Sequence, residues 1–339
     1  ALGSRLENRD VTLYTLCMNY DNLTEKKALR DRHRPLSQAL VKNLDEWFRV
    51  ELTYTSNAIE GNTLTRRETA LVVEKGLTVG GKSLIEHLEA VNHAHAIDWI
   101  RAQIARQPQE LTERDILDLH ALVLKGIDDA NAGRYRNIAV RISGSSIVLP
   151  NPLKVPDLMA VFADWLGTTA GLHPVQLAAE AHYRLVTIHP FVDGNGRAAR
   201  LLMNMLLLMN GYPAAIVRKR DRLSYIGSLE KAQLGGSMET YLGLIAKAVD
   251  RSLDIYLKAL SGAPEADSDE GQLLRIGELA KRARVTNSTI RYWTKEGLLE
   301  VADVTDAGYQ LYAPDMIERI NQIRLLQEER YTLQEIKAM

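Results

Sequence analysis

The apolar stretch LLMNMLLLMN, residues 201–210, has to be buried, yet the twelve residues that lead into it, HPFVDGNGRAAR (189–200), are rich in polar groups and glycine. Asn210, Gly211 and Pro213 interrupt the apolar run well short of the roughly 20 residues that cross a bilayer, so it reads as a buried helix with a glycine–proline stop. The pattern PVQLAAEAHYRLVTI (174–188) is a second helix that runs up to His189. The chain must therefore pack two helices around a polar loop.

The loop collects groups with complementary chemistry. Gly194 or Asn195 falls where a helix N-cap belongs, and the flanking glycines let the backbone bend and approach a ligand closely. Free N–H groups and the macrodipole at such a helix start attract an anion, by up to about 2 kcal/mol. Arg197 and Arg200 share one face of its first turns, which is unfavourable for the dipole unless an anion sits between them. Guanidinium forks suit a di- or triphosphate better than a carboxylate. Asp193 would repel phosphate unless it holds a magnesium ion that the phosphates also bind. His189 is the general base of the stretch, with an ordinary pKa of about 6.5. The loop lacks the GxxxxGK[ST] of a Walker A motif and is no dinucleotide fingerprint.

His189, Pro190, Phe191, Asp193, Gly194, Asn195, Gly196, Arg197 and Arg200 match every fixed position of HPFx(D/E)GNGRxxR, and the stretch resembles the Fic family motif. The resemblance implies a mainly α protein with a Fic helical core that transfers AMP from ATP to a hydroxyl side chain of a target protein. It makes His189 the acceptor of the hydroxyl proton and Asp193 the magnesium ligand. Gly194, Asn195, Gly196, Arg197 and Arg200 become the nucleotide-binding set, with Phe191 anchoring the loop.

Upstream, TSNAIEGNTLT (55–65) ends a helix and places Ser56 and Glu60 one turn apart. A carboxylate at a helix C-terminus is mildly unfavourable and is relieved by a cation. The stretch resembles the inhibitory motif (S/T)xxxE(G/N), which implies that Glu60 pairs with Arg200 and that Ser56 supports the glutamate, giving an autoinhibited state. Between residues 133 and 152, Val140, Ile142, Ile147 and Leu149 alternate with polar positions around Ser143, Gly144, Ser145 and Ser146, a hairpin signature. Its family counterpart is a flap, residues 140–149, that offers a strand edge to the target chain; Ser143, Gly144, Ser145, Ser146 and Ile147 are its target-positioning residues.

Other helices are expected over 24–58, 64–106, from Thr112 to Gly126, over VPDLMAVFADWLGTT and over 221–260. The segment SGAPEADSDEG (261–271) has no large apolar residue and reads as a linker. The expected organisation is a helical region with the inhibitory motif (1–110), a Fic core (111–260), the linker, and a C-terminal unit (272–339). That unit reads as helix, turn, helix, strand pair and helix, with Asn287 or Ser288 capping its second helix. Arg275, Lys281, Arg282, Arg284, Arg291 and Lys295 face one acid, Glu278, a local excess of positive charge suited to phosphates. IGELAK, VTNSTIRYW, EGLL and GYQLY resemble the winged helix-turn-helix of MerR-type regulators. The resemblance implies DNA contacts through Ser288, Arg291, Tyr292 and Tyr309. Asp303, Asp306, Gln310 and Trp293 depart from that pattern, and the long dimerisation helix of those regulators would lie beyond Met339.

Composition bounds the rest. A formal net charge of −1 over 339 residues excludes a globally basic nucleic-acid coat. Cys17 is the single cysteine, which excludes disulfide frameworks and thiolate zinc clusters and suits a reducing compartment. The N-terminal ALGSRLENRD carries no apolar signal region and reads as a trimmed start or a cloning remnant rather than a targeting signal, so the protein is expected in the cytoplasm, off membranes. Glu86, His87, Glu89, His93 and His95 show no metal-binding phase, and DNLTEKKALRDRHR reads as a solvated helix face. The expected function is an autoinhibited protein adenylyltransferase that uses ATP and Mg2+ on a tyrosine, threonine or serine of a partner protein. Alternatives are a DNA-binding regulator whose Fic domain only senses nucleotide, and a Fic enzyme that removes AMP. A homodimer is left open.

Overall fold

The computed structural model describes residues 19–142, 144–168, 171–261, 273–304, 308–328 and 331–338. Ser143, Asp306, Met339, Cys17, the N-terminal stretch and all of the expected linker except Ser261 lie outside them. The chain divides into two compact units after Ser261.

The first unit is helical: α1 Asp21–Asp31, α2 Gln38–Ile59, α3 Arg66–Lys75, α4 Leu84–Gln103, α5 Glu113–Leu124, α6 Val155–Thr168, α7 Pro174–Ile188, α8 Asn195–Met209, α9 Arg222–Gln233 and α10 Glu239–Leu260. Local chemistry accounts for their starts. Thr65 with Glu68, Ser83 with Glu86, and Thr112 with Asp115 form capping boxes at α3, α4 and α5. Pro174 opens α7, with the His173 ring accepting the Val175 N–H. The long helices expected over 24–58 and 64–106 each split in two. Pro35 lacks the N–H a helix needs, and Gly76, in the left-handed region at φ 64°, closes α3 before Ser83 starts α4. Gly235 and Gly236 likewise divide 221–260 into α9 and α10.

α8 is the axis of this unit. Leu201, Leu202, Met203, Met205, Leu206 and Leu207 are all buried in the main core, so the helix is enclosed on nearly every side. α7 packs along it, α4 and α5 flank it, and the end of α2 lies over its N-terminal turn. Arg30, expected on a solvated face, is buried instead and donates to the Gly211 carbonyl at 2.6 Å.

The hairpin expected at 140–149 is corrected. The segment keeps its place between α5 and α6, but no strand ladder forms there among the described residues. A two-stranded ladder alone is marginal in water. Here a turn, closed by the Ser145 N–H on the Ile142 carbonyl at 3.2 Å, and a guanidinium bridge from Arg136 to the Ile138 and Pro150 carbonyls take its role.

The second unit comprises β1 Leu274–Arg275, α11 Ile276–Ala283, α12 Asn287–Lys295, β2 Asp303–Val304, β3 Gln310–Tyr312, α13 Met316–Glu328 and α14 Leu333–Ala338. The strands form an antiparallel sheet in the order β1-β3-β2, with Leu274 opposite Tyr312 and Val304 opposite Gln310. The strand pair therefore gains a third member. Leu279, Ile290, Trp293, Tyr312, Ile320, Ile323 and Ile336 form its core. The cap of α12 is Thr286, one residue before the expected position, because its hydroxyl reaches the Thr289 N–H at 3.1 Å.

Candidate active site

α7 ends at Ile188, and His189 takes a left-handed backbone, φ 51°, unusual for a residue with a side chain. Its N–H still donates to the Leu185 carbonyl at 2.9 Å. The ring Nδ1 lies 3.3 Å from the Val186 carbonyl, which can only accept, so Nδ1 carries the proton and Nε2 keeps its lone pair. Burial lowers the imidazole pKa, and the nearby Arg136 charge lowers it further, against the Val186 bond and the charges of Glu60 and Asp193. His189 is thus neutral at pH 7 and able to accept a proton.

The loop after it is fixed by its own contacts. Phe191 is fully buried and stacks on the His120 ring with centroids 3.6 Å apart and planes within 3°. His120 donates from Nε2 to the Asp193 carbonyl at 2.9 Å while its Nδ1 accepts the Gly133 N–H at 3.0 Å. Burial holds this ring neutral, with its pKa near 4. Asn195 accepts from the Phe191 N–H and donates to the Phe191 carbonyl, both at 2.9 Å. Its amide is therefore engaged by the loop rather than turned to a ligand. Gly194 is the N-cap of α8 at φ 76°, where an added Cβ would meet His120 Nε2 and Val123 Cγ1, each at 3.3 Å. Sequence reasoning missed His120, whose polar role has no periodic signature.

The anion-attracting end of α8 is filled by an acidic side chain. The Glu60 carboxylate lies so close over Gly196 that any Cβ there would collide with it, and Arg200 Nη2 donates to its Oε1 at 2.7 Å. Arg200 itself is buried and held by Ser56, from Nε to the Ser56 hydroxyl and from Nη2 to the Ser56 carbonyl, both at 3.0 Å. This corrects the expected role of Ser56, which holds the arginine instead of the glutamate. The spacing of Ser56 and Glu60 puts both on one face but does not say which end of the facing guanidinium each meets. The hydroxyl of buried Tyr225, 2.6 Å from His182 Nε2, also lies near Arg200.

Arg197 donates from Nη1 to Glu89 at 2.8 Å and from Nη2 to Asp193 at 3.2 Å. Glu89 in turn accepts from Asn62 at 2.8 Å. The sequence offers Glu89 only as one of a group without metal-binding phase; its role as the partner of Arg197 depends on which helix faces meet. Glu86 is spent on capping, and His87 and His93 are satisfied by Ser83, Val79 and Thr53, as expected of structural histidines. Arg222, also unforeseen, donates to the Ile59 carbonyl at 2.7 Å and closes the end of α2.

In the flap segment the Ser145 hydroxyl donates to Glu230 at 2.6 Å, and the Ser146 N–H approaches the same oxygen at 3.4 Å. Gly144 sits at φ 75°, and the Ile147 N–H donates to the Ser145 hydroxyl at 3.2 Å. In the second unit Ser288, Arg291, Tyr292 and Tyr309 are exposed, with Ser288 bonded to Thr286. Asp193 keeps 67% of its side chain exposed, with one oxygen accepting the Gly194 N–H. Among the described residues no group of three or more His, Cys, Asp or Glu could hold a metal. A cation at Asp193 fits only if phosphates and water complete its shell, which is how magnesium is commonly held beside nucleotides. Among the described residues no helix is long and apolar enough to cross a membrane.

Two measurements check this geometry. Burial alone would raise the Glu60 pKa, and the charges of Arg200, Arg197 and Arg222 with the Arg200 bond outweigh it and hold it below the ordinary carboxylate range. Its contribution to stability is therefore present above the unfolded pKa and lost as pH falls through the depressed one. Glu60→Gln is expected to remove that part of the acid limb, read as a smaller drop in thermal midpoint between pH 5 and pH 3. Gly194→Ala, which forces a side chain into the left-handed region against His120, is expected to cost about 1–2 kcal/mol in chemical denaturation.

Two family models match the chain: the Fic/DOC family over residues 110–207 and the MerR HTH family regulatory protein over 274–339. The protein adenylyltransferase Fic of Drosophila willistoni is 38% identical over 267 residues, 78% of this chain and 53% of that protein. The chain spans about half the length of the curated relatives it matches. Among solved structures, Fic-1 (residues 134–508) from C. elegans is 31% identical with a TM-score of 0.64, covering 72% of this chain and 73% of that one. A Fic domain containing signaling protein from Bacteroides thetaiotaomicron is 30% identical, also at 0.64, over 73% of this chain and 99% of that one. With its loop, its helical core and these relatives in agreement, the chain belongs to the Fic/DOC family.

Proposed function

We propose that the protein is an adenylyltransferase that moves AMP from ATP to a serine, threonine or tyrosine hydroxyl of a target protein and that rests in an autoinhibited state. The observation that carries this reading is the Glu60 carboxylate on Gly196 and Arg200, the chain's own anion at a helix start built to attract one. Relatives named protein adenylyltransferase Fic support it.

In the reaction, the target hydroxyl oxygen bonds to the α-phosphorus of ATP, the bond from that phosphorus to the β-bridging oxygen breaks, and pyrophosphate leaves. The hydroxyl proton passes to His189 Nε2. Gly194, Gly196 and the first N–H groups of α8 face the phosphates, Arg197 and Arg200 balance their charge, and Asn195 keeps the loop in shape. Asp193 would hold magnesium, which supplies positive charge to the phosphates as negative charge builds on the leaving group. Catalysis here is mainly placement and charge stabilisation, since phosphoryl chemistry asks for little covalent help from protein. With Glu60 on Arg200, that arginine is denied to the terminal phosphate, and ATP binds in a posture unsuited to transfer.

Residues 145 and 146, held by Glu230, present the flap to the target segment. The test is incubation with ATP labelled at the α-phosphate. We expect label on protein to rise at least about tenfold in Glu60→Gly, one factor of ten for each ~1.4 kcal/mol of restored transition-state binding. His189→Ala is expected to abolish it in either background. Equal labelling of wild type and Glu60→Gly would sink the autoinhibited state, and undiminished labelling in His189→Ala would sink the transferase.

A second reading concerns the C-terminal unit, where Arg291 and Tyr292 lie exposed on α12 amid the local excess of positive charge. It contacts DNA phosphates there, whether or not the Fic core turns over. With a random-sequence duplex as probe, Arg291→Ala is expected to reduce the slope of log affinity against log salt by about 1. A slope near zero for the unaltered chain would remove DNA from the account.

A further inference from the structure

Arg136 is 3% exposed, and no carboxylate lies within ion-pair distance of it among the described residues. Burial lowers its pKa with no acid to offset the effect, so the site tolerates an unneutralised cation. Such a cation is costly to bury unless its donors are well used. Each of its three guanidinium nitrogens donates to a backbone carbonyl: Nε to His189 at 2.8 Å, Nη1 to Ile138 at 3.1 Å and Nη2 to Pro150 at 2.7 Å. The Arg136 backbone N–H adds a bond to the Pro190 carbonyl at 2.9 Å. Two of these carbonyls belong to the base and the residue after it. The other two stand at the two ends of the flap.

We propose that Arg136 is a positioning residue for His189, tying the base to both ends of the segment that receives the target chain. The planar fork is what makes this work, since its donors hold fixed angles and a shift at either flap end moves the guanidinium that fixes the histidine backbone. His189 cannot rely on an ordinary helix end for its placement, because its backbone is left-handed. The Arg136 bond holds the carbonyl that this conformation turns out of α7. Lysine, with a single flexible ammonium, could keep the charge but not all the bonds. The groups that face the imidazole from the packed elements are the Val186 carbonyl of α7, Glu60 after α2, Asp193 of the loop and Arg136. Arg136 is the one that opposes protonation, so its charge and its geometry serve the same end.

This inference rests on the adenylyl-transfer reading for its kinetic test, and a second readout stands apart from it. The full chain carrying Glu60→Gly serves as parent, with Arg136→Lys and Arg136→Gln added singly. We expect the kcat for label transfer to fall at least about tenfold in the lysine variant and about a hundredfold in the glutamine variant, the scale of a misplaced reacting group. The Kd for ATP, by titration calorimetry, stays within about twofold of the parent, because Arg136 touches none of the groups that face phosphate.

The independent readout is the 15N titration of the His189 ring. Its midpoint is expected to rise in Arg136→Gln, where a neighbouring positive charge is lost, and to stay near the parent in Arg136→Lys. An unchanged kcat overturns the proposal, as does a Kd for ATP that rises in step with the loss of kcat, or a His189 midpoint that ignores Arg136→Gln. If Arg136→Gln does not fold, the split between kcat and Kd in Arg136→Lys decides alone. If the parent transfers no label, the transferase reading fails, and the ring titration still decides whether Arg136 governs the base.

Discussion

The positive end of α8 is the constraint around which the first unit is organised. A helix start with open N–H groups, two arginines one turn apart and a third close by is unstable without an anion. In the structure that anion is Glu60, brought there because α2 ends over the first turn of α8 and Ser56 grips the same arginine. The buried arginine and the acid that meets it come from parts of the chain 140 residues apart, so the fold of the whole unit is needed to close the contact. The proposed catalytic competence and the proposed restraint draw on the same charge.

Beside this charge sits a loop held by the chain's own contacts. Phe191 on His120, the two-way amide of Asn195 and the Arg136 bonds to His189 and Pro190 each remove a degree of freedom. Fixed donors that wait for a substrate spare it the cost of ordering them. His120 and Arg136 come from segments outside the motif itself, and both act on backbone atoms, which is why the motif alone does not reveal them.

Much of the architecture was legible in the sequence. Apolar periodicity marks α7 and α8 and the Gly211 stop, and Thr112 is legible as a cap by residue type alone, with Asp115 completing its capping box in the structure. The splits at Pro35 and Gly76 were missed because periodic apolar residues continue across them. The alternation at 140–149 suggested strands, but alternation reports which side chains face inward and not whether a partner strand is present. At the site, the motif residues were legible one by one. Their partners were not: Glu89 and Tyr225 meet the arginines, and Arg222 meets the end of α2, only through tertiary packing, while Ser56 serves the arginine. Short-range rules govern caps and turns, whereas ion pairs across helices depend on which faces meet.

Gly196 has one more consequence. Because it has no side chain, the Glu60 carboxylate can lie flat on the backbone of α8, and a phosphate could do the same. A ligand in solution would then compete with a carboxylate that the fold already holds in place, an intramolecular rival with no cost of association. Under the proposed function, raising the nucleotide level would be a weak lever against such a rival. A partner that bends the end of α2 by a few ångströms would be a strong one.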